Sequence, residues 1–237
     1  MRAMRAGVVG LALAAVLSAQ PPPAVEVRTA GEMRRVMRDG DLRATIDLRE
    51  LAATPHLLAL GPIAGLRGEI TVLDGVPSIA TVREGAIEVA ARFDVEAAFL
   101  VHAQVAAWRE VAIPDGVVDE AQLERFVATA AVEHGLAPDR PFPFSARGTA
   151  LAAGFHVVDK TDDAPHSMEK HEAIKVRFTL ADAPVRLAGF YSDRHHGVFT
   201  HHGTNIHVHV LTADGRQSGH LDSIRLAPGG TLLLPVR

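Results

Sequence analysis

THHGTNIHVHVLTADGRQSGHLDS, residues 200–223, holds five of the chain's thirteen histidines. In its middle, His207-Val208-His209-Val210 alternates polar and apolar positions with the period of a strand. Asp214-Gly215 is a strong hairpin signal, because a two-residue type I′ turn needs positive φ at both central positions. A two-residue loop there sets His209 directly opposite His220, and His207 shares their face. Opposed Cβ atoms lie roughly 4.5–5.5 Å apart, so three imidazoles converge. Three neutral imidazoles with a coordination position left open suit a catalytic zinc or similar divalent ion, whereas a closed four-ligand site would be structural. His195, His196, His201 and His202 lie outside the hairpin among glycine and polar residues and are left out of this primary site.

The rest of the chain limits the partners. With 237 residues, 48% of them hydrophobic, a sizeable core can be buried. A net charge of −4 and the lack of a polybasic cluster argue against nucleic acid and favour a small-molecule partner. There are no cysteines, so a metal must use His, carboxylate or water. Residues 1–19 read as an export signal, with Arg2 and Arg5 before an apolar run to Leu17 and Ser18-Ala19 ahead of Gln20 and three prolines. That run is too short to span a bilayer. A periplasmic or secreted protein without a stable membrane span follows as the expectation, with oligomerisation left open.

Working outward along the chain, Thr29 can cap a helix over 31–39, and 47–53 forms a second short one. Residues 68–92 turn at Asp74-Gly75 and Glu84-Gly85 and read as a β meander, extended by an apolar strand within 96–108. The strongest helical pattern is 119–134, with Leu123, Phe126, Val127 and Ala130 on one face and Gly135 as its stop. Pro-rich 137–143 marks the expected boundary between an N-terminal α+β domain (28–136) and a C-terminal β-rich metal-binding domain (137–237). Strands are expected at 147–158, 173–180, 185–191, 206–212, 216–221 and 231–236. The fold class is α+β, two sheet-based halves of mixed or antiparallel strands with a few helices.

Beyond the hairpin, LGPIAGLRGEITVLDG (60–75) with Gly68-Glu69, FLVHAQV (99–105), RGTALAAGFHVV (147–158) and LAGFYS (187–192) resemble the α-acetolactate decarboxylase family. His-x-His with a third histidine eleven residues later, here His207, His209 and His220, is similar to that family's zinc triad. The resemblance runs from about residue 28 to the C-terminus. It implies an acetolactate-decarboxylase-like fold, a Zn2+ or related cofactor, and a carboxy-lyase converting 2-acetolactate, or a related 2-hydroxy-3-keto acid, to an acetoin-type product and CO2. It implies for Glu69 a proton-handling or substrate-orienting role.

Two departures accompany it. The family's arginine after its Gly-Thr pair corresponds to His156, an imidazole that cannot clamp a carboxylate bidentately but could donate a proton or serve as a further ligand. Arg147 is nearby but at an odd strand separation. The family's second active-site glutamate, on a tail past the last strand, has no match up to Arg237. Asp222, two residues beyond His220, could orient a ligand imidazole. Two other readings stand beside the lyase. One is an exported, non-catalytic metal-binding protein using the loop histidines for further ions. The other is a cupin-like protein, against which Leu211 to Asp214 offers no glutamate after the second histidine.

Overall fold

The computed structural model describes residues 25–137 and 139–236; the export-signal reading of residues 1–19 lies outside them. In chain order the elements are β1 (Arg28–Ala30), α1 (Met33–Asp39), β2 (Ile46–Asp47), a 3-10 turn (Leu48–Leu51), β3 (Leu57–Pro62), β4 (Glu69–Leu73), β5 (Val76–Arg83), β6 (Ala86–Ala90), β7 (Glu96–Ala97), β8 (Leu100–Gln104), β9 (Trp108–Ala112), α2 (Glu120–Glu133), β10 (Phe142–Val158), α3 (Met168–His171), β11 (Lys175–Tyr191), β12 (Ile206–Thr212), β13 (Ser218–Leu226) and β14 (Thr231–Pro235).

Two six-stranded sheets carry the α+β fold. The first has the order β1-β8-β3-β4-β5-β6 and the second β11-β12-β13-β10-β14-β9, with β2 and β7 forming a short separate ladder. These named strands pair only in antiparallel fashion. In the second sheet β10 also pairs with β11 along its length, so β10, β11, β12 and β13 close on themselves around a core that includes Phe144, Phe155, Val208 and Val210. Closure protects the inner faces of strands that would otherwise expose an edge.

The change from one sheet to the other falls between Gln104 and Trp108, not at the Pro-rich 137–143. Strand β9 pairs with β14, and α2 packs into the second sheet's core through Leu123, Val127 and Ala130. A turn-rich sequence marks a turn, but only long-range pairing shows which sheet each side joins. Helix α2 itself has the expected bounds. The Asp119 side chain accepts from the Gln122 amide at 2.8 Å and the Gln122 side chain accepts from the Asp119 amide at 3.2 Å, a reciprocal N-terminal cap. Helix α1 begins instead after Glu32, without the expected Thr29 cap.

The expected strands 173–180 and 185–191 are one 17-residue strand. Asp182, at φ 48°, kinks β11 without ending it, and the ladder to β10 resumes on both sides. The hairpin also differs in detail. Its loop is four residues long with only Gly215 at positive φ, because Asp214 accepts from the Thr212 hydroxyl and the Arg216 amide. Two extra residues preserve parity, so His209 still faces His220.

Gly189, in the LAGFYS stretch, lies opposite Phe144. A Cβ there would meet Phe144 Cζ at 2.3 Å, and the fully buried ring has no room to move. Gly189→Ala is expected to destabilise the protein by about 1–3 kcal/mol through overpacking, and Phe144→Leu in the same chain to recover part of the loss. Urea unfolding of the single and double variants checks this; additive losses would show that the two sites do not share the space.

Candidate metal centre

Three neighbouring strands bring imidazoles to one level. On the central strand β13, His220 pairs with His209 of β12 on one side and with His156 of β10 on the other. His207 joins their face two residues from His209. Ring centroids of the His207–His209, His207–His220 and His209–His220 pairs are 5.1, 5.0 and 5.5 Å apart, and His156 stands 4.8 Å from His220. One ligand-capable nitrogen from each of His207, His209 and His220 lies within 4.8 Å of the others, close enough for one ion to draw on all three.

The first sheet closes the site from above. Glu69 and Thr71 on β4 point to the same side, and both are buried. Gly68 makes this approach feasible: it sits at φ 146°, and a Cβ would come within 2.3 Å of the Ala80 carbonyl. Thr71 Oγ1 lies 2.8 Å from His209 Nδ1 and accepts from Ser218 Oγ at 3.0 Å. Ligation through Nε2 requires the tautomer in which His209 Nδ1–H donates to Thr71.

His209 Nε2 and His207 Nδ1 are buried without a partner among the described residues. A buried polar atom left unpaired costs about 1–3 kcal/mol, and three converging imidazole nitrogens are a donor set that a divalent ion satisfies. Burial, reinforced by the neighbouring imidazoles, pushes His207 down to about 3 and holds His209 and His220 well below the usual imidazole range. All three are therefore neutral at pH 7, with lone pairs free for a cation. Thr71→Val removes the fixed tautomer of His209 and is expected to weaken zinc binding about 10–100-fold, read by competition with a chromophoric chelator.

Glu69 Oε2 is 3.8 Å from His209 Nε2, but this is not an ion pair. Burial pushes the Glu69 carboxyl up to about 8, partly offset by the Val158 amide and by Lys175, so acid and imidazole are both neutral. The consequence for metal-free protein has opposite signs on the two sides of neutrality. Between about 4.5 and 8 the folded chain holds a proton on Glu69 that the unfolded chain has released, so that contribution is lost as pH rises. The depressed histidines act the other way: below about 6.5 the unfolded chain takes up their protons, so stability is lost as pH falls. Glu120 is pushed up in the same way, to about 7, but the depressed histidines outnumber the two acids, and stability of the metal-free protein should peak near neutrality. From pH 7 to 8 it should fall by up to about 1.4 kcal/mol per unit, and Glu69→Gln should flatten that limb. Urea midpoints across pH 5–8.5 check both limbs.

The remaining candidates fall into place unevenly. His156 is buried beside the triad, and Asp222, a candidate for orienting a ligand imidazole, accepts from His156 Nδ1 at 2.7 Å. The proton is thereby fixed on Nδ1, leaving Nε2 as the nitrogen available to the cleft. Arg147 is outside the site, paired with Glu110 of β9 at 2.7 Å. Of the four loop histidines, His201 lines the cleft, with its ring 5.5 Å from His220. His195 and His196 are engaged by Ser192 and Asn205 at 2.8 and 3.0 Å. Thr71, His171, Lys175 and His201 were not picked out as site residues by sequence reasoning. Only His201 carried a signal, its closeness to the hairpin.

A sequence model of the family described as alpha-acetolactate decarboxylase matches residues 33–232. The fold is similar to that of alpha-acetolactate decarboxylase from Bacillus subtilis strain 168, with a TM-score of 0.70 and 12% identity over 88% of this chain and 85% of that one. It is also similar to a Staphylococcus aureus protein of unknown function described as similar to alpha-acetolactate decarboxylase, with a TM-score of 0.68 and 14% identity over 88% and 84% of the two chains. No curated protein matches the sequence significantly.

Proposed function

Because the chain belongs to the α-acetolactate decarboxylase family, we propose that it is a zinc-dependent carboxy-lyase acting on 2-acetolactate or a related 2-hydroxy-3-keto acid. The observation that carries this reading is a buried carboxyl, Glu69, held 3.8 Å from an imidazole of a three-histidine centre. Decarboxylation breaks the bond between the carboxylate and the hydroxyl-bearing carbon, and its electron pair moves to the adjacent keto oxygen. The carbon that lost CO2 then takes up a proton, so each turnover consumes one.

His207, His209 and His220 would hold the ion, which when bound supplies Lewis-acid stabilisation of the charge left by CO2. Glu69, buried beside His209, is placed to carry the proton that this step requires. His156, its tautomer held by Asp222, presents Nε2 as an acceptor for the substrate hydroxyl. Apolar walls from Leu66, Phe99 and Val158 exclude water around these groups.

Among the described residues, the triad is the one group of three or more potential ligands, which favours a single resident ion over a protein storing several. No described helix is long and apolar enough to cross a membrane. The charge and apolar pattern of residues 1–19 supports action outside the cytoplasmic membrane.

The test is release of CO2 and acetoin from racemic 2-acetolactate by zinc-loaded protein. Glu69→Gln should bind zinc normally and lose about 10²–10⁴-fold in kcat, while His209→Ala should lose both zinc and turnover. Absence of turnover in zinc-loaded wild type, over a range of 2-hydroxy-3-keto acids, would exclude the reading.

A further inference from the structure

One cation reaches the cleft. Lys175 opens β11 and pairs with Val158 of β10, two residues beyond His156 on the same face. Among the described residues it is the only Lys or Arg lining the cleft, where it joins Glu69, His156, His171, His201, His207 and His220. Its side chain is largely covered, at 19% exposure, and its Nζ lies 3.1 Å from Glu172 Oε2.

The partner is placed differently. Glu172 is 65% exposed and also pairs with Arg177, which lies outside the cleft. If another anion takes Lys175, Glu172 keeps Arg177 and remains solvated, so exchange leaves no buried charge behind. A purely structural lysine would be expected to have a carboxylate as covered as itself. Met33, Val36 and Met37 of α1, with Leu66 and Phe99, give the same cleft an apolar wall.

We propose that Lys175 is the specificity-determining residue for an anionic substrate, binding the substrate's carboxylate in exchange for Glu172 while the apolar wall receives its alkyl groups. This rests on the function proposed above but makes its own demand. A guanidinium missing from the position of His156 is compensated by an ammonium on the neighbouring strand. The subsite therefore accepts a carboxylate as a point charge, without the planar two-point contact that arginine would impose.

Cobalt-loaded protein provides a readout independent of turnover, because its visible spectrum reports ligands entering the metal centre. The probes are 2-hydroxy-2-methylpropanoate and its neutral amide, titrated by absorption and calorimetry. Wild type should prefer the carboxylate by about tenfold or more. Lys175→Met should remove that preference without altering amide binding or the ligand-free cobalt spectrum, and Lys175→Arg should retain it. Glu172→Gln, at an exposed position, should tighten carboxylate binding severalfold by freeing Lys175. No carboxylate preference in wild type, an unchanged preference in Lys175→Met, or no gain in Glu172→Gln would each overturn the proposal. Lysine-dependent carboxylate binding without decarboxylation would remove the lyase reading and leave this subsite. Decarboxylation with an unchanged KM in Lys175→Met would do the reverse.

Discussion

The pairing of His209 with His220 across one rung of a hairpin is the constraint on which the site depends. Side chains alternate along a strand, so a slip of one residue would turn Val208 and Val210 toward the cleft and bury the histidines in the barrel core. Several features oppose that slip. Val208 and Val210 are 2% and 1% exposed within the core of the closed strands. At the loop, Thr212 and Gln217 exchange main-chain and side-chain bonds. At the next rung, a Cβ on Gly219 would lie 2.5 Å from the His156 carbonyl, so a glycine there lets β13 approach β10 closely enough to align the fourth imidazole.

That alignment sets a row of neutral imidazoles against a buried acid before any ligand enters. Desolvation removes protons from imidazoles and adds one to a carboxyl, so the same burial produces lone pairs on one side of the cleft and a proton donor on the other. Thr71 links the two sheets at this point and fixes which nitrogen of His209 remains available. The arrangement carries a stability penalty, since unpaired nitrogens and a buried acid are less favourable than apolar packing. Such penalties are expected where a fold is committed to chemistry rather than to maximal stability.

The hairpin was legible in the sequence because its information is local: period-two alternation and a Gly-containing turn determine face and register. Its turn type was not, because the Asp214 side chain offered bonds that compensate for a longer loop. Helix α2 was equally readable, from one apolar face and a capping pair three residues apart. The change of sheet after Gln104 was hidden because β9 finds its partner, β14, more than a hundred residues away. The same limit explains Asp222, which is itself the extra residue of a β-bulge on β13: pairing steps from Ser223 opposite Gly154 to Leu221 opposite Phe155, and the Asp222 carboxylate reaches His156 across on β10. Lys175 was invisible for a related reason. Nothing in KVRFTL distinguishes a cleft cation from a solvated strand lysine until β11 is laid against β10.

The same geometry explains how the site can depart from its family's pattern without losing coherence. His156 stands at the position of the family's arginine, and burial holds it below the usual imidazole range against the opposing pull of Asp222, whose bond keeps the proton on Nδ1. It cannot supply positive charge there. Lys175 carries the charge one strand over, on the same face and in the same cleft. The cleft then offers an anion an ammonium on β11 and the imidazole cluster of β12 and β13, with Glu69 as the acid lining the same space.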